Sequence, residues 1–191
     1  MKELTKPYPL YEDCCCLWRA CGTPDHVIRH CQAVSRTAVL IAQELNRNGF
    51  RLNLPLLAAA GWLHDMLRLQ EDHGLRAAEL LKSLGYEEIA ALIAVHMSYQ
   101  RDPQSDAITE TDLLCFADRV VREDRFVGLR LRMEYIIDKS IRLSHPEAEP
   151  RIRKSFQQAE EFQKKIEAII GKSIREIEHI TDELGKTGEN R

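Results

Sequence analysis

The stretch LPLLAAAGWLHDMLRL, Leu54 to Leu69, is apolar nearly all round over its first ten residues. A helix with no polar face belongs in the interior. It is therefore expected to be the central buried helix, with Asn53 as a possible cap, Pro55 just inside and an end near Asp65. It closes on a histidine and an aspartate side by side, His64 and Asp65. Taking two such groups out of water is costly unless something binds them.

Helix signals dominate on both sides. TPDHVIRHCQAVSRTAVLIAQELNRNG opens with Thr23 as a candidate N-cap and Pro24 at the first helical position, and closes at Gly49. Its apolar stripe runs Val27, Val34, Ala38, Ile41, Leu45, and His30 sits on that stripe. After the His-Asp pair, Asp72 is expected to cap HGLRAAELLKSLG, where His73, Ala77, Leu80 and Leu84 share a face. YEEIAALIAVHMSY puts Ile89, Leu92, Ile93 and His96 on one side. RDPQSDA is a polar loop, after which Thr109 and Asp112 resemble a capping pair for ETDLLCFADRVVRED, with Leu114, Asp118 and Val121 aligned.

LRLRMEYIIDKSIRL is amphipathic and helical by its spacing. From Pro150 one long helix is expected: Ile152, Phe156, Ala159, Phe162, Ile166, Ile169, then Ile170, Ile174, Ile177, with a step near Gly171. No alternating strand of convincing length and no internal repeat is present, so the fold class is all-α. The expected organisation is a catalytic-type domain over 1–146 and a helical extension over 147–191, packed on that domain or used in a homodimer.

The 191 residues suffice for one domain with a full core. With 44% hydrophobic and 30% charged residues and a net charge of −3, the composition is that of a globular protein and gives no reason to expect nucleic acid as the main partner. No apolar run reaches the roughly 18 residues of a membrane span, and MKELTKPYPLYEDCCC lacks a signal-peptide core, so the protein is expected to be cytoplasmic. Three of the six cysteines (14, 15, 16, 21, 31, 115) are consecutive, a poor geometry for a bridged framework. Cys14, Cys16 and Cys21 offer thiols for a soft metal, but no Cys-x-x-Cys pair completes the set; small buried apolar residues are the plainer reading.

Five candidate helices each place a His or Asp on, or at the end of, an apolar stripe: His30, His64–Asp65, His73, His96 and Asp118. One such histidine alone reads as a core imidazole, and Asp118 alone as a carboxylate paired to an arginine. Four imidazoles and two carboxylates on inward faces are a ligand set for one or two divalent transition ions, and a bound ion offsets the desolvation of each group. His26, in the first turn of its helix, reads as capping or exposed, and His145 and His179 as solvent groups.

The order His … His-Asp … Asp on a helical scaffold resembles the HD superfamily of metal-dependent phosphohydrolases. The matching stretches are TPDHVIRHCQAV, AAAGWLHDMLR, DHGLRAAELLKSLGY, IAALIAVHM and LLCFADRVV. The tail IEAIIGKSIREI is similar to the ending of a bacterial subgroup sometimes joined to molybdenum-cofactor-type nucleotidyltransferases. The resemblance implies an HD-domain helical bundle. It makes His30, His64, Asp65 and Asp118 the ligands of one site, with His73 and His96 adding a second and Asp65 bridging. The ions implied are iron, manganese, nickel or zinc.

Many members carry lysine or glutamate three residues after the pair, where this chain has Arg68. Arginine cannot act as a base; its fixed charge suits a phosphate clamp, and a surface arginine after a helix end is the other reading. Arg119, beside Asp118, is assigned to the phosphoryl oxygens as well. The implied activity is hydrolysis of a small phosphoester, mono- or diester, most plausibly a nucleotide or related metabolite, by a metal-activated water. Asp65 and Arg68 would carry the chemistry. Some relatives with the same six ligands hold two irons and activate dioxygen, so an oxygenase stays open, as does a non-catalytic metal- or nucleotide-binding module.

Overall fold

The structure, a computed structural model, describes residues 7–178, so His179 lies outside the described residues. The helices are α1 (Tyr11–Cys21), α2 (Asp25–Arg47), α3 (Leu54–Leu63), α4 (His73–Ser83), α5 (Glu87–Val95), α6 (Glu110–Val120), α7 (Leu129–Arg142) and α8 (Glu149–Ile170), with a short helical segment over 174–178. A two-residue ribbon, β1 (Val121–Arg122) with β2 (Arg125–Phe126), pairs Val121 with Phe126 in antiparallel register. The fold is all-α.

The helix α2 is the axis, and its stripe is buried from Val27 to Leu45. Against it lies α3, which starts as the sequence predicts: Asn53 Oδ1 accepts from the Leu56 amide at 3.1 Å and Pro55 sits in the first turn. The two helices approach so closely at Gly61 that a Cβ there would stand 2.5 Å from the Ser35 Cα. Only glycine fits at that crossing. The pair α4 and α5 closes one flank of α3, and α6, entered through the expected Thr109–Asp112 capping box, closes the other side of α2.

Several elements differ from the sequence expectation. Residues 11–21 carry no helix in the sequence reading, yet α1 forms there. Trp18 is buried and donates from its indole to the Trp62 carbonyl at 3.0 Å, while Tyr11 meets both tryptophans edge-on. A helix also settles the cysteines. Cys14 and Cys16, two residues apart, fall on opposite sides, the first buried and the second exposed, so they cannot share an ion. Thr23 does not cap its own helix; its hydroxyl donates to the Met66 carbonyl at 2.8 Å and ties down the segment after His64–Asp65. Asp72 occupies the N-cap position of α4 in a left-handed conformation, without a side-chain capping bond. The buried helix α3 stops at Leu63, and His64 and Asp65 stand on the turns that follow.

The long C-terminal helix is interrupted. Its stripe is buried through Phe156, Ala159, Phe162, Ile166 and Ile170, and Phe162 meets Phe116 of α6 edge-on. Gly171 then takes a left-handed conformation, φ +69°, which ends α8 and lets Ile174 and Ile177 turn back into the same core. No helix of the described residues is long and apolar enough to cross a membrane.

Candidate metal centre

Five elements deliver six side chains to one point. His30 comes from α2, His64 and Asp65 from the turn after α3, His73 from the first position of α4, His96 from the residue after α5, and Asp118 from the last turn of α6. Asp65 is at the middle. Its Oδ2 stands 3.7 Å from His30 Nε2 and 3.5 Å from His64 Nε2; its Oδ1 stands 3.0 Å from His73 Nε2 and 3.6 Å from His96 Nε2. One carboxylate thus faces two pairs of imidazoles, one with each oxygen. Asp118 Oδ1 joins the first pair, 3.0 Å from His30 Nε2 and 3.9 Å from His64 Nε2.

Local helix physics sets the ring orientations. His64 and His96 follow the last residues of α3 and α5, where helix carbonyls lack the regular intrahelical partner four residues on. Each turns Nδ1 onto the carbonyl three residues back: His64 to Gly61 at 2.9 Å and His96 to Ile93 at 2.7 Å. His30 Nδ1 meets the Glu123 carbonyl at 2.9 Å, supplied by the turn of the β-ribbon. A carbonyl only accepts, so in all three rings Nδ1 carries the proton; Nε2 of His64 and His96 is left to present a lone pair inward, while His30 Nε2 stands at hydrogen-bond distance, 3.0 Å, from Asp118 Oδ1. Gly74 completes the packing, because a Cβ there would stand 2.9 Å from His96 Cε1.

Four of the donor atoms are buried and left without hydrogen bonds. His64 Nε2, Asp65 Oδ1, His73 Nε2 and His96 Nε2 are shielded from solvent and none has a hydrogen-bond partner among the described residues. Buried polar atoms are normally satisfied, and four orphans around one point call for a ligand. The groups His30, His64, Asp65 and Asp65, His73, His96 each converge closely enough to hold an ion. Atoms sharing an ion at about 2.1 Å stand about 3.0 Å apart at right angles and about 3.4 Å apart at the tetrahedral angle, and the observed separations bracket those values. The residues present fit one or two divalent cations.

Electrostatics agree. Burial alone would raise both carboxylates, but the imidazoles outweigh it: His64, His73 and His96, with Arg68, hold Asp65 well below the usual range, and His30 and His64 do so for Asp118. Burial lowers His64 and keeps it neutral, a form able to ligate. Burial opposes protonation of His30 and His96 too, but their contacts with Asp118 and Asp65 reverse the direction and raise both.

Arg68 donates from Nη1 to Asp65 Oδ2 and is itself about two-fifths exposed. It lines a cleft of about 360 Å³ whose inner wall includes His30. Arg119 does not reach this cleft. Consecutive residues on a helix point about 100° apart, so with Asp118 turned inward Arg119 turns away, donating to the Tyr99 carbonyl at 3.2 Å. Contrary to the sequence expectation, Arg119 is not placed to reach a phosphoryl group in this cleft. His26 is exposed at the mouth of the cleft, and His145 is exposed far along the chain beside Glu147.

The cleft holds residues that the sequence reading missed: Arg122 from β1, and Arg132, Tyr135 and Lys139 from α7. A signal was present. Positions 132, 135, 136 and 139 form one helical stripe, and it carries two cations and a tyrosine on a helix read simply as amphipathic. Arg122 lies over the Tyr135 ring, 4.0 Å from its centroid. Burial lowers the pKa of Arg132, and Arg68 and Arg122 add to this against the pull of Asp118.

A family model described as the HD domain matches residues 27–123, which holds all six converging side chains. The chain belongs to the HD-domain family. That places it in a superfamily of metal-dependent phosphohydrolases. The chain is also similar to an uncharacterized protein of Methanocaldococcus jannaschii, 37% identical over 73 residues, which is 37% of this chain and 43% of that protein. The chain thus spans less than half the length of the curated relative it matches. No solved structure matches significantly.

Proposed function

We propose that this HD-domain protein hydrolyses a small phosphoester at a two-ion centre bridged by Asp65. The observation that carries the reading is the set of four buried, unpartnered ligand atoms aimed at one point. His30, His64, Asp65 and Asp118 would hold one divalent ion, and Asp65, His73 and His96 the other. Bound there, such ions supply an acidified water as nucleophile and stabilise charge on the phosphoryl oxygens.

The protein's own groups do the rest. The carbonyls of Gly61, Ile93 and Glu123 fix the three rings, as partners behind ligating histidines do generally. Arg68 fixes the Asp65 carboxylate and puts a permanent charge on the wall of the adjoining cleft, where it would bind a phosphoryl oxygen. No side-chain nucleophile is needed. A cleft of about 360 Å³ suits a small metabolite, at the lower end of the range for ligand pockets.

The test is a screen of phosphomonoesters, cyclic nucleotides and dinucleotides with iron, manganese, nickel or zinc, run with and without oxygen. Anaerobic phosphate release with a redox-silent ion is the expected result. Turnover that requires oxygen, with a mixed-valence iron signal, would assign the centre to an oxygenase. Tight nucleotide binding without turnover would make the protein a binding module.

A further inference from the structure

We infer that the substrate carries a second phosphoryl group, apart from the one cleaved, and that Arg122, Arg132 and Lys139 bind it. This deepens the hydrolase reading and rests on it for the word substrate.

The cleft begins at His30 and Arg68 and runs outward between the β-ribbon and α7. Beyond Arg68 its lining carries three further cations against a single carboxylate, Glu123. That carboxylate is about three-quarters exposed and pairs only loosely, at 3.6 Å, with Arg122. The outer cleft therefore holds two positive charges in excess, which matches the charge of −1.5 to −2 on a phosphate monoester near neutrality. A carboxylate would neutralise only half of it.

Arg132 is the decisive residue. Its Nε is shielded from solvent and has no hydrogen-bond partner among the described residues, and its guanidinium carbon stands 5.7 Å from the centroid of the Tyr135 ring. Arg132 as a whole is half-buried, but a shielded guanidinium nitrogen normally finds an acceptor. Here it faces other cations across an open cleft, an arrangement that an anionic ligand relieves. Arginine suits the role because its planar fork grips two phosphate oxygens at once. Tyr135 braces the Arg122 guanidinium, so Arg122 and Arg132 are held rather than left free. The four cations come from three segments, Arg68 from the turn after Asp65, Arg122 from β1, and Arg132 and Lys139 from one stripe of α7. The first phosphoryl group would lie over the metal centre beside Arg68 and the second in the outer cleft.

The test uses matched pairs: a sugar bisphosphate against the corresponding monophosphate, and a nucleoside 3′,5′-bisphosphate against the 5′-monophosphate, on the metal-loaded protein. The bisphosphate is expected to lead in kcat/KM by tenfold or more. R132Q and K139Q should each cut that ratio by about tenfold, mainly through KM, the size of one charge-assisted contact. Lys139 is exposed, so K139Q keeps the test valid should R132Q fold poorly. Calorimetry with pyrophosphate on protein held in chelator reads the same site without turnover, and either variant should weaken binding about tenfold.

Equal kcat/KM for mono- and bisphosphates overturns the inference and leaves the hydrolase reading standing. So does pyrophosphate binding that neither variant alters. A carboxylate-bearing monophosphate preferred over the bisphosphate overturns the assignment of the second group as phosphate. If no ester is cleaved while pyrophosphate binds and both variants weaken it, the hydrolase reading fails and the anion site is supported.

Discussion

Asp65 and Asp112 are both buried carboxylates in the same core, and they are served in opposite ways. Asp112 accepts from the Thr109 amide and hydroxyl at 2.8 Å each and from the Tyr99 hydroxyl at 2.7 Å, with Arg101 3.3 Å away. Arg101 in turn donates to the carbonyls of Asp102, Ser105 and Ala107 and lies over the Phe162 ring. Asp65 meets four imidazoles, and its Oδ1 accepts no hydrogen bond. The first carboxylate has every partner it needs from the chain and holds α6, its preceding loop and α8 together. The second has Arg68 on one oxygen, but its other oxygen and three of the imidazoles around it become satisfied only when a cation arrives. Burial alone does not mark a functional acid; unfilled burial does.

This contrast sets the expected mutant behaviour. Asp65→Asn should remove both ions and with them the activity, by more than the roughly 100-fold lost when only a partner behind a ligand is removed; metal content and turnover measured together check this. The reverse pattern is expected at Asp112. Asp112→Ala strands Arg101 and Tyr99 and should destabilise the fold by about 3–5 kcal/mol, read by chemical denaturation, while the protein that remains folded still binds metal. Were Asp112→Ala the variant that lost metal, the division between the two carboxylates would be wrong.

Saturating metal should stabilise the wild-type protein by about 2.7 kcal/mol at 100 times Kd, a rise of roughly 5–10 °C in Tm for a chain of this size, and Asp65→Asn should abolish the rise. Gly74→Ala should cost about 1–3 kcal/mol through overpacking. By displacing the His96 ring it should also lower the metal ratio from two toward one, which separates the second site from the first. The smallest effect concerns the thiols. Burial pushes Cys14 and Cys115 up to about 12, so at pH 8 a thiol reagent should modify exposed Cys16 rapidly and leave those two intact until denaturant is added.

Much of the fold is legible in the sequence because long helices repeat a stripe. The α2 stripe, the all-apolar α3 and the Thr109–Asp112 box need only spacing and capping chemistry to be read. The interruption at Gly171 was visible as a step in register but not as a break, since an isoleucine stripe continues on both sides of it. The α1 helix escaped because its anchors, the Trp18–Trp62 bond and the Tyr11 ring contacts, join residues some 44–51 positions apart. In the centre, His30, His73, His96 and Asp118 announce themselves by sitting on apolar stripes. The pairing of imidazoles to each Asp65 oxygen does not, because it depends on which carbonyl each Nδ1 finds after folding. The cations of the outer cleft escaped for a related reason: arginine and lysine on an amphipathic helix look like solvated charges until another segment is placed opposite them.

Elemental analysis after incubating the protein with a divalent transition ion and desalting it addresses the convergence of these six side chains most directly. Close to two ions per chain is predicted for the wild-type protein, and close to none for Asp65→Asn. A wild-type ratio near zero with each of iron, manganese, nickel and zinc, in protein that is demonstrably folded, would contradict a metal centre built around Asp65.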